Sequence, residues 1–212
     1  PDVEIALIGD ESFPSYCRPM ISLVLEGAAK PEALPIRGDR FYDDLCITPI
    51  LGARVDGIDL DNRAVSVANG ETIPFDKLLI ASGADPRPIK AEGLNLKHIF
   101  YMRTEAHVRA MLAALPKVKK ALVLGGGLVG FKAAYGLMRR GVQTTLLIQS
   151  GHPLSLQVDA TAGELVRQEL MRRGLDVRVG AAVNAFEGRG RVERAVLADG
   201  TVLSCDMAVI GK

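Results

Sequence analysis

Cysteine and histidine are scarce in this sequence, with three of each in 212 residues. Cys17, Cys46 and Cys205 are far apart and form no CxxC, which excludes a four-cysteine zinc site and a disulfide scaffold. No close cluster of His, Cys and carboxylates suggests a protein-bound metal. An excess of either charge is also missing. Twenty-six Lys+Arg stand against 25 Asp+Glu, a net charge of +1, and no basic tract or acidic tail points to nucleic acid or a membrane surface. No apolar run approaches the roughly 20 residues that span a bilayer, and no signal-peptide pattern opens the sequence, so a cytoplasmic protein is expected. Polar overhang is lacking at both ends: the sequence begins at Pro1 and stops at Lys212, straight after the apolar run Met207-Ala208-Val209-Ile210-Gly211. That pattern reads as a partial chain.

What remains is ample for a core. Hydrophobic residues make up 48% and charged residues 24%, so the chain is globular, long enough for one large or two small domains. Strand patterns are predicted at Val3–Gly9, in short pieces over Ile47–Ile58, and at Ala64–Ala68 and Thr72–Phe75 around an Asn69-Gly70 turn. A helix is predicted over Pro19–Glu26, stopped by Gly27. Lys77–Ala81 is continuously apolar after its lysine and reads as a buried parallel strand. From Thr104 onward strand and helix alternate. Helices are predicted at Thr104–Leu115, Leu128–Arg140 and Thr161–Arg173, with strands at Lys120–Leu124, Thr144–Ile148 and Asp176–Val179. Val192–Leu197 and Val202–Ser204 then flank an Asp199-Gly200 hairpin turn. The fold class is therefore α/β, a Rossmann-like parallel sheet with a β-meander attached.

The sharpest motif is Ala121-Leu122-Val123-Leu124-Gly125-Gly126-Gly127-Leu128-Val129-Gly130. It places G-x-G-x-x-G at Gly125, Gly127 and Gly130, after an apolar strand and at the start of a helix, the context a dinucleotide site requires. Gly125 permits the tight turn, Gly127 lets a pyrophosphate approach the backbone, and Gly130 lets the helix lie close to the strand. The N–H groups of the first helical turn, including Leu128 and Val129, face the phosphates. The next strand should end in an acid for a ribose 2′-hydroxyl, or have an arginine nearby for a 2′-phosphate. It ends Leu146-Leu147-Ile148-Gln149-Ser150. Ile148 stands where the acid is expected, Gln149 can hydrogen-bond a hydroxyl without choosing between cofactors, and His152 offers partial positive charge at most. NADH versus NADPH stays open.

With these stations in place the chain resembles the middle of a two-dinucleotide-binding-domain flavoprotein of the pyridine nucleotide–disulfide oxidoreductase superfamily. Within it, the chain resembles most the branch of nitrite, rubredoxin and ferredoxin reductases. Glu4–Glu11 is similar to that family's second FAD-domain strand, whose terminal acid, here Glu11, holds the FAD ribose. Pro14-Ser15-Tyr16-Cys17-Arg18-Pro19-Met20-Ile21-Ser22 resembles its Y-x-R-P-x-x-S segment, which implies FAD contacts for Arg18 and Pro19. Phe75–Arg87 resembles the Y-D-x-L-x-x-A-T-G-x-x-P-R signature, which implies that Ala81, Ser82, Gly83 and Arg87 pass beside FAD. Val209-Ile210-Gly211 resembles the closing strand of the nicotinamide domain, placing Gly211 at the cofactor.

The resemblance implies an FAD-dependent NAD(P)H oxidoreductase, with residues 1–88 a partial FAD-binding domain and 89–212 an NAD(P)-binding domain. The family's first FAD strand and glycine motif would precede Pro1, and its interface domain would follow Lys212, so the isolated chain is expected to hold FAD weakly. Electrons would leave to a carrier protein or a small-molecule acceptor. At two positions the sequence departs from the resembled branch: Leu23 replaces a lysine and Lys132 replaces a glutamate. That exchange implies that Lys132 supplies the cation beside the flavin, the one catalytic candidate. Cys17 occupies a variable position and is expected to be filler. Arg139-Arg140 and Arg172-Arg173 are expected to serve helix C-termini, and the Leu and Met positions of Leu165–Met171 to face the core. A plain single-Rossmann dehydrogenase and a non-catalytic nucleotide-binding module are the alternatives. No catalytic Tyr-x-x-x-Lys follows the loop to favour the first, and Ile148 is the best support for the second.

Overall fold

The computed structural model describes residues Val3–Gly211. Pro1, Asp2 and Lys212, on which the reading of the two ends rests, lie outside them. Contacts divide the chain into two compact units. The first runs to Cys17 and resumes over Glu32–Ala84; the second takes Arg18–Pro31, which carries helix α1 (Ile21–Glu26), and everything from Asp85 onward.

In the first unit, β1 (Ile5–Gly9) pairs in parallel with β2 (Ile47–Leu51), Ile5 opposite Ile47 and Gly9 opposite Leu51. A single helical turn, α2 (Phe41–Asp44), precedes β2. A separate antiparallel meander follows, β3 (Val55–Asp59), β4 (Ala64–Val67) and β5 (Thr72–Pro74). Its tight turn is the predicted one: Gly70 sits at φ +88°, a conformation open to glycine, and its N–H reaches the Val67 carbonyl at 2.8 Å. Buried apolar side chains are few in this unit, with Leu34, Val65 and Val67 the described ones. The expected strand over Lys77–Ala81 does not form: the segment is irregular, and Leu79 and Ile80 are 87% and 67% exposed. A parallel strand is stable only with paired neighbours and both faces covered, and among the described residues this run has no strand partner.

The second unit contains β6 (Ile99–Tyr101), α3 (Glu105–Ala114), β7 (Lys120–Leu124), α4 (Leu128–Arg139), β8 (Gln143–Ile148), α5 (Ala160–Arg172) and β9 (Asp176–Val179). The meander β10 (Val183–Glu187), β11 (Arg194–Leu197), β12 (Val202–Ser204) comes next, and β13 (Met207–Ile210) closes the chain. Five strands form one parallel sheet in the order β6-β13-β7-β8-β9. β6 and β10 are not apparent in the sequence pattern: β6 is three residues long and pairs with β13, and β10 pairs with β11 through an irregular register between Val183 and Ala185. The sheet's core is continuous with the meander through Leu122, Leu147, Phe186, Val192 and Ala208. Thr104 opens α3 with a capping box: its Oγ1 accepts from the His107 N–H at 3.2 Å, and His107 Nδ1 accepts from the Thr104 N–H at 3.3 Å. Asp159 caps α5 more simply, its Oδ1 accepting from the Ala162 N–H at 2.9 Å without a reciprocal bond.

Two expectations about this unit need correction. Leu165 is 64% exposed and Met171 is also exposed, so they face solvent and not the core. Gly163 is the one residue of α5 that is buried. The spacing was apolar enough for a core face, but α5 lies over the sheet near its β9 edge, where little protein is left to cover it. Arg140 does serve a helix C-terminus, but that of another helix: its Nε and Nη2 donate to the carbonyls of Leu25 and Val24 at 2.8 and 3.0 Å, at the end of α1. That clamp is possible because α1 lies close to α4, where a Cβ on Gly136 would meet Leu25 Cγ at 3.0 Å.

Candidate functional site

The glycine loop joins β7 to α4 at the C-terminal edge of the parallel sheet. Gly125 has φ +130°, which favours glycine, and its N–H donates to the Leu147 carbonyl at 2.9 Å, tying the turn to β8. A Cβ on Gly130 would run into the Gly125 carbonyl, and one on Gly211 would lie 2.7 Å from Gly130 Cα. Three of the predicted residues, Gly125, Gly130 and Gly211, are thus brought together by backbone-to-backbone contact. Gly127 is different. It is the N-cap of α4, makes no side-chain cap, and a Cβ there would meet open space.

Leu128 is 61% exposed and Val129 is also exposed, on the first turn of a 12-residue helix whose initial N–H groups have no intrahelical acceptor. Open space in front of Gly127, free N–H groups and the positive end of the helix dipole fit the pyrophosphate of a dinucleotide. At the exit of β8, Ile148 is fully buried and Gln149 exposed.

Lys132 is exposed one turn further along α4. It lines a depression of about 330 Å³ together with Pro19, Leu23, Glu26 and Tyr135. The two positions that depart from the resembled pattern, Leu23 and Lys132, therefore share one wall system. Glu26 faces Arg139 at 3.8 Å.

The remaining candidates lie as follows. In the first unit Glu11 follows β1 and accepts a hydrogen bond from Tyr16 Oη at 2.6 Å. Ala81, Ser82 and Gly83 are exposed in irregular backbone, with Gly83 at φ +72°. In the second unit Arg18 Nη1 donates to the Arg103 carbonyl at 3.2 Å, Pro19 belongs to the 3-10 turn Arg18–Met20 before α1, and Arg87 is exposed. Of the thiols, Cys17 is half-buried and Cys46 exposed, while burial and the neighbouring Asp206 push the Cys205 thiol up to about 12. Two residues of the nucleotide edge escape sequence reasoning, Gly126 and Leu154. Gly126 was visible only as the spare residue in a triple glycine, and Leu154 gave no signal at all.

A model of the pyridine nucleotide-disulphide oxidoreductase family matches residues 1–212. The chain belongs to that family. FAD and NAD(P)H are the family's cofactors. The chain is 32% identical over 207 residues to the biphenyl dioxygenase system ferredoxin–NAD(+) reductase component of Paraburkholderia xenovorans, covering 97% of this chain and 50% of that protein. It is 30% identical over 207 residues to the assimilatory nitrate reductase electron transfer subunit of Bacillus subtilis, covering 98% and 27%. Among solved structures, the ferredoxin reductase for the CYP199A2 system from Rhodopseudomonas palustris superposes with a TM-score of 0.92 at 26% identity, over 99% of this chain and 52% of that one. The expected fold, that of a two-dinucleotide-binding-domain flavoprotein reductase, is borne out. The chain spans about half or less of the length of these relatives. Among the described residues no helix is long and apolar enough to cross a membrane.

Proposed function

We propose that this chain is part of an FAD-dependent NAD(P)H oxidoreductase that passes reducing equivalents from nicotinamide to flavin and on to an electron-carrier protein or a small-molecule acceptor in the cytoplasm. The observation that carries the reading is the glycine loop, closed by backbone contacts at Gly125, Gly130 and Gly211 and open at Gly127. That shape suits a pyrophosphate and serves no packing purpose at Gly127. The family match supports FAD as the second cofactor, and a ferredoxin–NAD(+) reductase component among the relatives supports a carrier protein as acceptor. FAD and NAD(P)H, when bound, supply the hydride-transfer chemistry.

The chain's own residues bind and orient. Gly125, Gly127 and Gly130, with the N–H groups of Leu128 and Val129, hold the dinucleotide phosphates. Glu11, at the C-terminal end of a parallel strand, accepts from a ribose hydroxyl. Arg18 and Arg87 meet phosphate or ring oxygens, and Pro19, Ala81, Ser82 and Gly83 give the backbone a close approach. Lys132 places a cation where negative charge develops on reduction. We also read the chain as a segment of a longer protein. The exposed apolar side chains of Ile5, Leu79 and Ile80 suit burial by further sequence, because a two-stranded parallel sheet is not a self-contained layer.

The test uses the full-length protein carrying FAD, mixed without oxygen with NADH or NADPH. Bleaching of the visible flavin band is expected. Nucleotide binding without bleaching would instead favour the non-catalytic module, for which Ile148 in place of the expected ribose-binding acid speaks. Lys132→Met should lower the flavin's reduction potential and slow its reduction on the order of 10- to 100-fold; unchanged potential and rate would remove Lys132 from the site.

A further inference from the structure

Lys132, Gly136 and Arg140 stand four residues apart, on successive turns of the side of α4 where α1 lies, with Arg140 at the helix's C-cap. Each meets α1 differently. Arg140 holds its end, with Nε donating to the Leu25 carbonyl at 2.8 Å and Nη2 to the Val24 carbonyl at 3.0 Å. The guanidinium lies against Gly27, where a Cβ would come within 3.1 Å of Arg140 Cζ. Gly136 lets the two helices approach, a Cβ there lying 3.0 Å from Leu25 Cγ. Lys132 lines the depression that also contains Leu23.

α1 has little of its own to fix how it lies. It is six residues long, too short to persist alone, and its N-cap Met20 makes no side-chain cap. At the other end the Leu23 carbonyl is met by the N–H groups of Gly27 and Ala28, both at 2.9 Å. The next two carbonyls, Val24 and Leu25, are those that Arg140 takes, Val24 being shared with the Gly27 N–H at 3.2 Å. A planar fork reaches both acceptors at once, which an ammonium does not. α1 also packs on α3, and Ile21, Val24 and Leu25 are buried, so the fork sets the position of α1 while packing secures its fold. The depression has two walls, residues 19–26 on one side and Lys132 with Tyr135 on the other. Its width is therefore the spacing of α1 and α4.

Resting on the reading of Lys132 above, we propose that Arg140 is a positioning residue for flavin reduction. It ties the end of α1 to the end of α4 and so fixes the wall opposite the Lys132 side chain. Leu23 on that wall offers the ammonium no charge to pair with, and the wall's acid, Glu26, faces Arg139 at 3.8 Å. Lys132 then keeps one position and directs its charge at the site. Without the fork the wall shifts and the ammonium spreads over several positions; misplacement by about 1 Å far from the chemistry is enough to slow a reaction.

The experiment measures the flavin's reduction potential in the full-length, FAD-loaded protein, by reductive titration against a reference dye, and the rate of its anaerobic reduction by NADH. Arg140→Gln should lower the potential in the same direction as Lys132→Met and slow reduction about threefold to tenfold, with NAD+ affinity held within about twofold. Added to Lys132→Met, it should lower the potential no further, because two residues acting through one group are not additive. Arg140→Lys keeps the charge without the fork and should fall between wild type and Arg140→Gln, so the test stands even if Arg140→Gln fails to fold. An unmoved potential in the Arg140 variants, beside a lowered one in Lys132→Met, overturns the positioning role and leaves Lys132 in place. Equal lowering with and without Lys132, or a lysine variant identical to wild type, assigns the effect to charge alone and overturns it too. If Lys132→Met itself moves nothing, the Lys132 reading falls and this proposal with it.

Discussion

At the scale of single residues, environment decides what a side chain can do, and the cysteines illustrate it. Cys205 is buried and its thiol is pushed up to about 12, so at neutral pH it holds its proton and is inert. Cys46 is exposed at φ +52°. An aromatic disulfide reagent at pH 8 should therefore modify Cys46 rapidly in the native protein and Cys205 only after denaturant is added. Rapid native labelling of Cys205, located by peptide mass, would contradict the packing of β13 against the meander. Ile148 makes the same point in another way. Its identity was legible as the absence of an acid, but its burial under Gly126 was not, because the loop that closes over it comes from six residues further along the chain.

Among elements, the β7–loop–α4 unit was legible in all but the role of Gly126, since glycine spacing, strand and helix encode one local geometry. Its glycines nevertheless do different work, and substitutions separate them. Gly130→Ala forces a methyl group into the Gly125 carbonyl and is expected to cost about 1–3 kcal/mol in urea unfolding, with loss of nucleotide binding. Gly127→Ala places its methyl in open space and should leave stability within about 1 kcal/mol while weakening NAD+ binding, the methyl standing where the phosphates approach. Equal losses of stability in the two variants would mean the open side of the loop is misplaced. The elements that misled, Lys77–Ala81 and the apolar stripe of α5, share a cause. Apolar spacing states what a segment is able to bury and says nothing of whether a neighbour exists to bury it against.

For the whole molecule, the second unit is held by contacts distant in sequence. Asp206, before β13, accepts from the N–H groups of Lys119 and Lys120 at 2.9 and 3.0 Å, before and at the start of β7. Partial burial works against its charge, but those two N–H groups and the nearby Arg191 and Lys119 cations outweigh it and hold the carboxyl below its ordinary range. A carboxyl more acidic folded than unfolded stabilises the fold above its ordinary titration range. That contribution fades as pH falls through the lower folded value. Asp206→Asn should therefore destabilise at neutral pH and narrow its deficit in acid; a deficit independent of pH between about 6 and 3 would mean the N–H contacts act without the charge.

The sequence by itself determined the alternation of strand and helix from Thr104, the nucleotide loop and the hairpin turns, because each is set by residues within one turn or strand of each other. Only the tertiary structure decided that α1 is clamped by Arg140, that Gly211 seats against Gly130, that Ile148 is sealed by Gly126 and that Leu79 and Ile80 stand exposed. Each of these depends on which distant segment arrives to pack, and no local pattern carries that information.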